Sequence, residues 1–184
     1  FIDVHSKKLI DKIKELKMQR IESSKKIISF LKKKNIFLSW EEIYSKTSGI
    51  IGRPHLARAM IKQNYVKSIN EAFEKYLNDE TIKNIIKYKI NTFDAIRLIL
   101  DAGGLPVIAH PKSINSLNNQ IDKLVDIGLS GIEVYAEKYG EMTQSYYLKI
   151  CEKYNLIPTG GTDYHANNQK YEMMPGMNGP PYST

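Results

Sequence analysis

The chain has 184 residues, of which 42% are apolar and 26% charged, a composition typical of a globular protein. This composition excludes a disordered chain, a collagen and a disulfide scaffold. The sequence shows neither a membrane-spanning apolar run nor a signal peptide, so no membrane partner is expected. Because the single cysteine, Cys151, cannot form an internal disulfide, we expect a reducing compartment such as the cytoplasm.

Positive charge is concentrated in the first half of the chain. Residues 1–90 hold 20 Lys and Arg against 10 Asp and Glu, a balance of +10, whereas residues 91–184 hold 7 against 10, a balance of −3. A basic half can attract a phosphorylated or nucleic-acid ligand. The lysines can equally be the solvated faces of helices, and composition alone leaves both interpretations open.

The first half carries only helical signals: apolar residues at helical spacing, capping boxes, and a proline in a first turn. The predicted helices cover 6–35 and begin at Trp40, at Gly52 and at Ser68, the last running to about Leu77. We therefore expect residues 1–90 to form an all-helical subdomain.

Beyond residue 90, helical segments alternate with short apolar strands. Helices are predicted after Asn91, over 117–127 and over 141–154, and strands over 105–109, 131–134 and 156–159. Such alternation is typical of a parallel sheet with right-handed crossovers. Since three strands leave edges unpaired, and the chain begins with Phe1, we expect residues 91–184 to be the C-terminal part of a larger α/β barrel or sheet.

Histidine and aspartate follow two of these strands. His110 comes directly after the first strand, and Asp163 and His165 follow the third. Their types and positions fit a site for Zn, Mn or Fe(II) at the carboxyl ends of the strands. The alternative is that both histidines are structural. Glu133, at the end of the middle strand, is a candidate for orienting a ligand.

The segment Gly-Arg-Pro-His is the second candidate for chemistry. A helix that starts here presents free N–H groups, and Arg53 adds a guanidinium that can bind phosphate, with His55 nearby. The alternative interpretation is an ordinary helix start with exposed basic residues.

Five segments in order give the chain a family resemblance. They are GRPHLARAM (52–60), EAFEKYL (71–77), DAGGLPVIAHP (101–111), GIEVY (131–135) and GGTDYH (160–165). Together they resemble the PHP domain, named for polymerase and histidinol phosphatase, and in particular bacterial stand-alone metal-dependent phosphoesterases that carry a helical insertion.

This resemblance implies a distorted (βα)7 barrel with residues 1–90 as an inserted helical cap and two or three divalent metals (Mn, Zn or Fe). His110, Asp163 and His165 match the family's late ligands, each serving a different metal, and Asp163 and His165 would be catalytic. The early ligands, which include a His-x-His segment, have no counterpart here. The chain is therefore expected to be a C-terminal fragment that is inactive by itself.

The resemblance implies a hydrolase of phosphate esters. The expected substrate is a nucleoside 3′,5′-bisphosphate or the 5′ end of a short oligoribonucleotide, with Arg53 and His55 binding its phosphate. The alternative is a basic helical module that binds nucleic acid on an inactive scaffold. Hydrolysis needs the strand-end ligands, whereas binding needs only the basic half.

Overall fold

The computed structural model describes residues 2–47, 50–86, 90–114, 117–136, 139–164 and 173–181. The chain divides into a helical unit, Ile10–Ile90, and a sheet unit, Phe1–Leu9 with Asn91–Thr184. Each unit has its own apolar core. Residues 1–9 group with the sheet unit rather than with the helical unit, and the assignment of the helical unit as an inserted cap stays a prediction.

The helical unit contains five described helices. They are α1 (Lys7–Lys32, whose first residues belong to the sheet unit), α2 (Trp40–Ser45), α3 (Arg53–Lys62), α4 (Ile69–Ala72) and α5 (Asp79–Ile82). Their buried faces meet in a core around Leu31, Ile51, Leu56 and Met60, which are fully buried. None of the helices in the described part of the chain is long and apolar enough to cross a membrane.

The predicted helix starts at Ser39 and Ser68 are confirmed. The Ser39 hydroxyl accepts the Glu42 N–H at 3.2 Å, and the Ser68 hydroxyl accepts the Glu71 N–H at 3.1 Å. Each bond satisfies one of the backbone donors that a helix start leaves without a partner. These starts are readable from sequence because both partners lie within four residues.

The helix predicted to run to Leu77 ends early as an α-helix. After α4, the segment Phe73–Leu77 forms a π-helical turn. Pairing between residues five apart places such residues on the same face. Ala72 and Leu77 are both fully buried, and the wider turn lets both side chains face the core.

The sheet unit consists of a three-stranded parallel sheet with helices between the strands. Its elements are α6 (Thr92–Asp101), β1 (Val107–Ile108), α7 (Leu117–Asp126), β2 (Gly131–Ala136), α8 (Glu141–Tyr154) and β3 (Ile157–Gly161). The strand order is β1-β2-β3, and both pairs are parallel. The predicted α/β class and parallel pairing are confirmed.

Strand β1 is shorter than the five residues predicted. Only Val107 and Ile108 pair with β2. Pro106 has no N–H to contribute, although its carbonyl accepts the N–H groups of Ser130 and Gly131 at 2.8 and 3.3 Å. Pairing with β2 ends at Ile108, two residues before His110.

Central strand β2 carries the core of the sheet unit. Ile132 and Val134 are fully buried and pack with Leu124, Tyr147 and other apolar side chains of the unit. Removal of a buried side chain costs both its transfer free energy and the free energy of the cavity that it leaves.

Ile132→Ala is expected to lower the free energy of unfolding by about 2–5 kcal/mol. Leu105→Ala, at a side chain that is 60% exposed, is the matched control and should change stability by less than about 0.5 kcal/mol. Urea unfolding monitored by circular dichroism measures both. Equal effects of the two substitutions would contradict the packing described for β2.

Candidate functional site

The residues that follow β1 and β3 share an unusual backbone conformation. His110 and Asp163 both lie in the left-handed region, each with φ of +50°. Residues other than glycine rarely adopt this conformation, although Asn, Asp and His do so more often than most. The chain thus turns sharply at the carboxyl end of each outer strand.

These turns bring the two side chains together. The Nε2 atom of His110 lies 3.5 Å from Oδ1 of Asp163, and both side chains are about half exposed. An imidazole nitrogen and a carboxylate oxygen therefore face the same solvent-accessible space. The third residue predicted for this site, His165, lies outside the described residues, and the assignment of all three as metal ligands stays a prediction.

Glu133 of the central strand β2 contacts His110, one member of this pair. Its Oε2 atom accepts the backbone N–H of His110 at 2.7 Å and lies 3.9 Å from the Nδ1 atom of the same histidine. Only 13% of the Glu133 side chain is exposed. A largely buried carboxylate accepting a backbone donor fixes the position of the chain that carries the imidazole.

The site fits a divalent transition metal by the chemistry of its donors. Zn, Mn and Fe(II) accept neutral imidazole nitrogen and carboxylate oxygen. A separation of 3.5 Å between Nε2 and Oδ1 leaves both atoms able to reach one metal cluster. Within the described residues, however, no three His, Cys, Asp or Glu side chains group closely enough to hold a metal, so His110 and Asp163 alone do not complete a site.

Arg53 and His55 lie at the start of α3 in the helical unit, and both already have partners. The Nη1 atom of Arg53 donates to Oδ1 of Asp79 at 2.6 Å and to the Leu77 carbonyl at 3.2 Å. Its guanidinium also lies 5.5 Å from the centroid of the Phe73 ring. Arg53 thus links α3 to the π-helical turn.

The His55 ring caps its own helix. Its Nδ1 atom accepts the Gly52 N–H at 3.0 Å. Burial lowers the pKa of His55, and the charge of Arg58 lowers it further. The ring is therefore mainly neutral at pH 7, with its proton on Nε2. A role for Arg53 and His55 in substrate binding stays a prediction.

Sequence reasoning did not identify Tyr139 as a support of the site. Its hydroxyl accepts the Lys112 N–H at 3.1 Å, in the 3-10 turn Pro111–Ser113 that follows His110. No sequence signal predicts this bond, since its partners are 27 residues apart and the tyrosine belongs to no motif. Pro111 is the first residue of this short turn.

Curated proteins from three bacteria are similar in sequence to part of this chain. It is 30% identical over 123 residues to a phosphoribosyl 1,2-cyclic phosphate 1,2-diphosphodiesterase of Eggerthella lenta, a match covering 66% of this chain and 46% of that protein. It is 28% identical over 121 residues to a 3′,5′-nucleoside bisphosphate phosphatase of Chromobacterium violaceum, covering 64% and 42%. A 5′-3′ exoribonuclease of Haemophilus influenzae is 25% identical over 139 residues, covering 73% and 51%.

Solved structures share its fold. A candidate metal-dependent phosphoesterase from Bifidobacterium adolescentis superposes with a TM-score of 0.76 at 24% identity, covering 96% of this chain and 64% of that one. An amidohydrolase from Chromobacterium violaceum, solved with sulfate and without metal, gives a TM-score of 0.77 at 23% identity, covering 94% and 63%. At these identities the likeness concerns the fold. No protein-family model matches the chain.

The contact between Glu133 and His110 can be tested without metal. In Glu133→Ala the His110 amide loses a charged acceptor, so its hydrogen exchange should accelerate at least about tenfold. Glu133→Gln retains an oxygen acceptor and should accelerate it less. Glu152→Ala, an exposed glutamate of α8, is the control. NMR measures the exchange rate of the His110 amide. Equal rates in wild type and in Glu133→Ala would contradict the contact.

The three curated relatives come from different bacteria and are named for different substrates, yet all three names denote cleavage of phosphate esters. The chain spans about half the length of these curated relatives. The resemblance carried by its five motifs is confirmed: this chain is a relative of bacterial phosphoesterases of the PHP type.

Proposed function

We propose that the whole protein is a metal-dependent phosphoesterase that hydrolyses phosphate esters. The observation that carries this proposal is the approach of His110 Nε2 to Asp163 Oδ1, at 3.5 Å, where the chain leaves β1 and β3. Parallel strands place their carboxyl ends at one edge, where α/β enzymes hold their active sites. The similarity to hydrolytic phosphoesterases supports hydrolysis of phosphate esters as the reaction at this edge.

Each strand-end residue has a defined part in this proposal. His110 presents Nε2 while Glu133 holds its backbone, Asp163 supplies a carboxylate charge, and His165 completes the chain's own ligands. Divalent metals (Mn, Zn or Fe, two or three in the complete enzyme) lower the pKa of bound water and stabilise negative charge on a phosphoryl group. Asp163 and His165 would thereby act directly at the reacting centre.

The proposed fold of the whole protein is a distorted (βα)7 barrel. The sheet unit would supply its C-terminal βα units, and the helical unit would be a cap inserted between strands. The parallel order β1-β2-β3 and the TM-scores of 0.76 and 0.77 support this assignment. The solved structures extend beyond this chain, since it covers 64% and 63% of them.

The proposed substrate is a nucleoside 3′,5′-bisphosphate or the 5′ end of a short oligoribonucleotide. Two relatives are named for these activities, a 3′,5′-nucleoside bisphosphate phosphatase and a 5′-3′ exoribonuclease. Both substrates carry several negative charges, which suits a half-chain with a balance of +10.

We place the protein in the cytoplasm, because Cys151 is a free, buried thiol.

A second candidate is a nucleic-acid-binding module without catalysis. The excess of basic residues in 1–90 favours it. Such a module would retain single-stranded RNA without added metal and without turnover, with affinity that falls steeply as salt rises. The convergence of His110 and Asp163 favours the enzyme, since binding alone does not need these residues at the strand ends.

Asp163→Asn in the whole protein should lower the rate of phosphate release at least about 100-fold, because it removes a charged ligand. Asp126→Asn, at the exposed end of α7, is the matched control and should keep the wild-type rate. The assay uses adenosine 3′,5′-bisphosphate after reconstitution with Mn or Zn. Retention of RNA with no phosphate release under any divalent metal would support the binding module instead.

Arg53→Ala should raise KM or lower kcat/KM for the bisphosphate while the metal content stays constant, because a phosphate-binding cation is lost. Asp79→Asn removes the partner of Arg53 and keeps the cation, so it separates the two roles of Arg53. If Arg53 only links α3 to the π-helical turn, Arg53→Ala should lower stability more than Asp79→Asn, because it also loses the contacts with the Leu77 carbonyl and the Phe73 ring, and neither variant should change KM. Steady-state kinetics and thermal unfolding of both variants decide between these outcomes.

A further inference from the structure

The helical unit contains a pocket that shares only His55 with the residues predicted to act in the reaction. It lies between α2 and α3 and has a volume of about 360 Å³, within the range of small-molecule sites. Glu42 and Ile43 of α2, with Lys46 directly after its last residue, line one side. Arg58, Ala59 and Lys62 of α3 line the other. The spacing of three and four residues puts the α3 set on one face of its helix.

The pocket wall has an excess of positive charge. Lys46, Arg58 and Lys62 line it against one carboxylate, Glu42. Among the described residues, none of these three cations forms an ion pair with a carboxylate. Their charges are therefore available to a ligand, whereas Ile43 and Ala59 offer an apolar surface beside them.

Two of the cations crowd each other across the pocket. The pKa of Lys46 is lowered, chiefly by the neighbouring Lys62 side chain and its positive charge. Bringing like charges together opposes the charged form of Lys46. An anion placed between them would form charge-assisted hydrogen bonds with both and offset their repulsion.

The remaining lining side chains fit an anionic ligand larger than one phosphate. Gln63 offers a neutral amide, and the Ser39 and Thr47 hydroxyls, which already donate to Glu41 and to the Ile43 carbonyl, keep a lone pair each for a ligand donor. His55 also lines the pocket, and as a neutral ring with Nδ1 already accepting from Gly52 it contributes a donor rather than a charge. Three cations, neutral polar groups and an apolar surface together suit a phosphorylated compound with an organic part.

We propose that the pocket between α2 and α3 is a binding site for a phosphorylated ligand of nucleotide size, held by Lys46, Arg58 and Lys62. The site needs neither the strand-end residues nor hydrolysis, so it goes beyond the proposed function. It stands even if the chain does not catalyse. A free mononucleotide fits its dimensions, whereas an RNA strand would need contacts outside it.

The test is calorimetric titration of the full chain with adenosine 3′,5′-bisphosphate in buffer that contains EDTA, so that no metal contributes. Lys46→Gln combined with Lys62→Gln should weaken binding at least about tenfold, because two charge-assisted contacts are lost. Lys33→Gln combined with Lys34→Gln removes the same charge from exposed residues outside the pocket, and should change affinity by less than about twofold. Circular dichroism verifies that both double variants fold.

Three comparisons complete the experiment. Asp163→Asn should bind the bisphosphate as wild type does, which separates this site from the catalytic proposal. Adenosine without phosphate should bind at least about tenfold more weakly. Wild type that binds no bisphosphate, equal losses in the two double variants, or adenosine bound as tightly would each overturn the proposal. Binding of a short oligoribonucleotide but not of the bisphosphate would also overturn it in favour of an RNA surface.

Discussion

The geometry of the strand-end site depends on the position of β2 between β1 and β3. Because all three strands are parallel, their carboxyl ends meet at one edge, and Glu133 lies in the middle strand. Its carboxylate accepts the backbone N–H of His110, which follows the outer strand β1. A side chain of β2 thus fixes the backbone where the chain leaves β1, and the imidazole follows the backbone. If His110 binds metal as proposed, this support would preserve the affinity of the site.

The left-handed backbone at His110 shows how tightly this edge is constrained. Such a conformation costs free energy and persists only when surrounding contacts hold it. His110 donates its N–H to Glu133, and its carbonyl accepts both the N–H of Ser113 at 2.9 Å and the hydroxyl of Ser113 at 2.7 Å. Backbone strain at both His110 and Asp163 is expected where the positions of side chains serve chemistry rather than stability.

The features that sequence alone predicted are those with short-range causes. The caps at Ser39 and Ser68 involve partners three residues away, and apolar runs located all three strands and the helices between them. The length of β1 escaped prediction because pairing with β2, not composition, sets it. The bond from His110 to Glu133 joins residues 23 apart, and although both residues were singled out, only the folded sheet shows which atoms meet.

The motif at the start of α3 shows why a basic segment is hard to interpret from sequence. Arg53 and His55 suggest phosphate binding, yet one links α3 to the π-helical turn and the other caps the helix. The Asp79 side chain that pairs with Arg53 is 90% exposed, so this ion pair contributes little to stability. A polyanion can therefore replace Asp79 as the partner of Arg53 at small cost, while the bond to the Leu77 carbonyl still holds the guanidinium in place. The structural and binding roles of Arg53 are thus compatible.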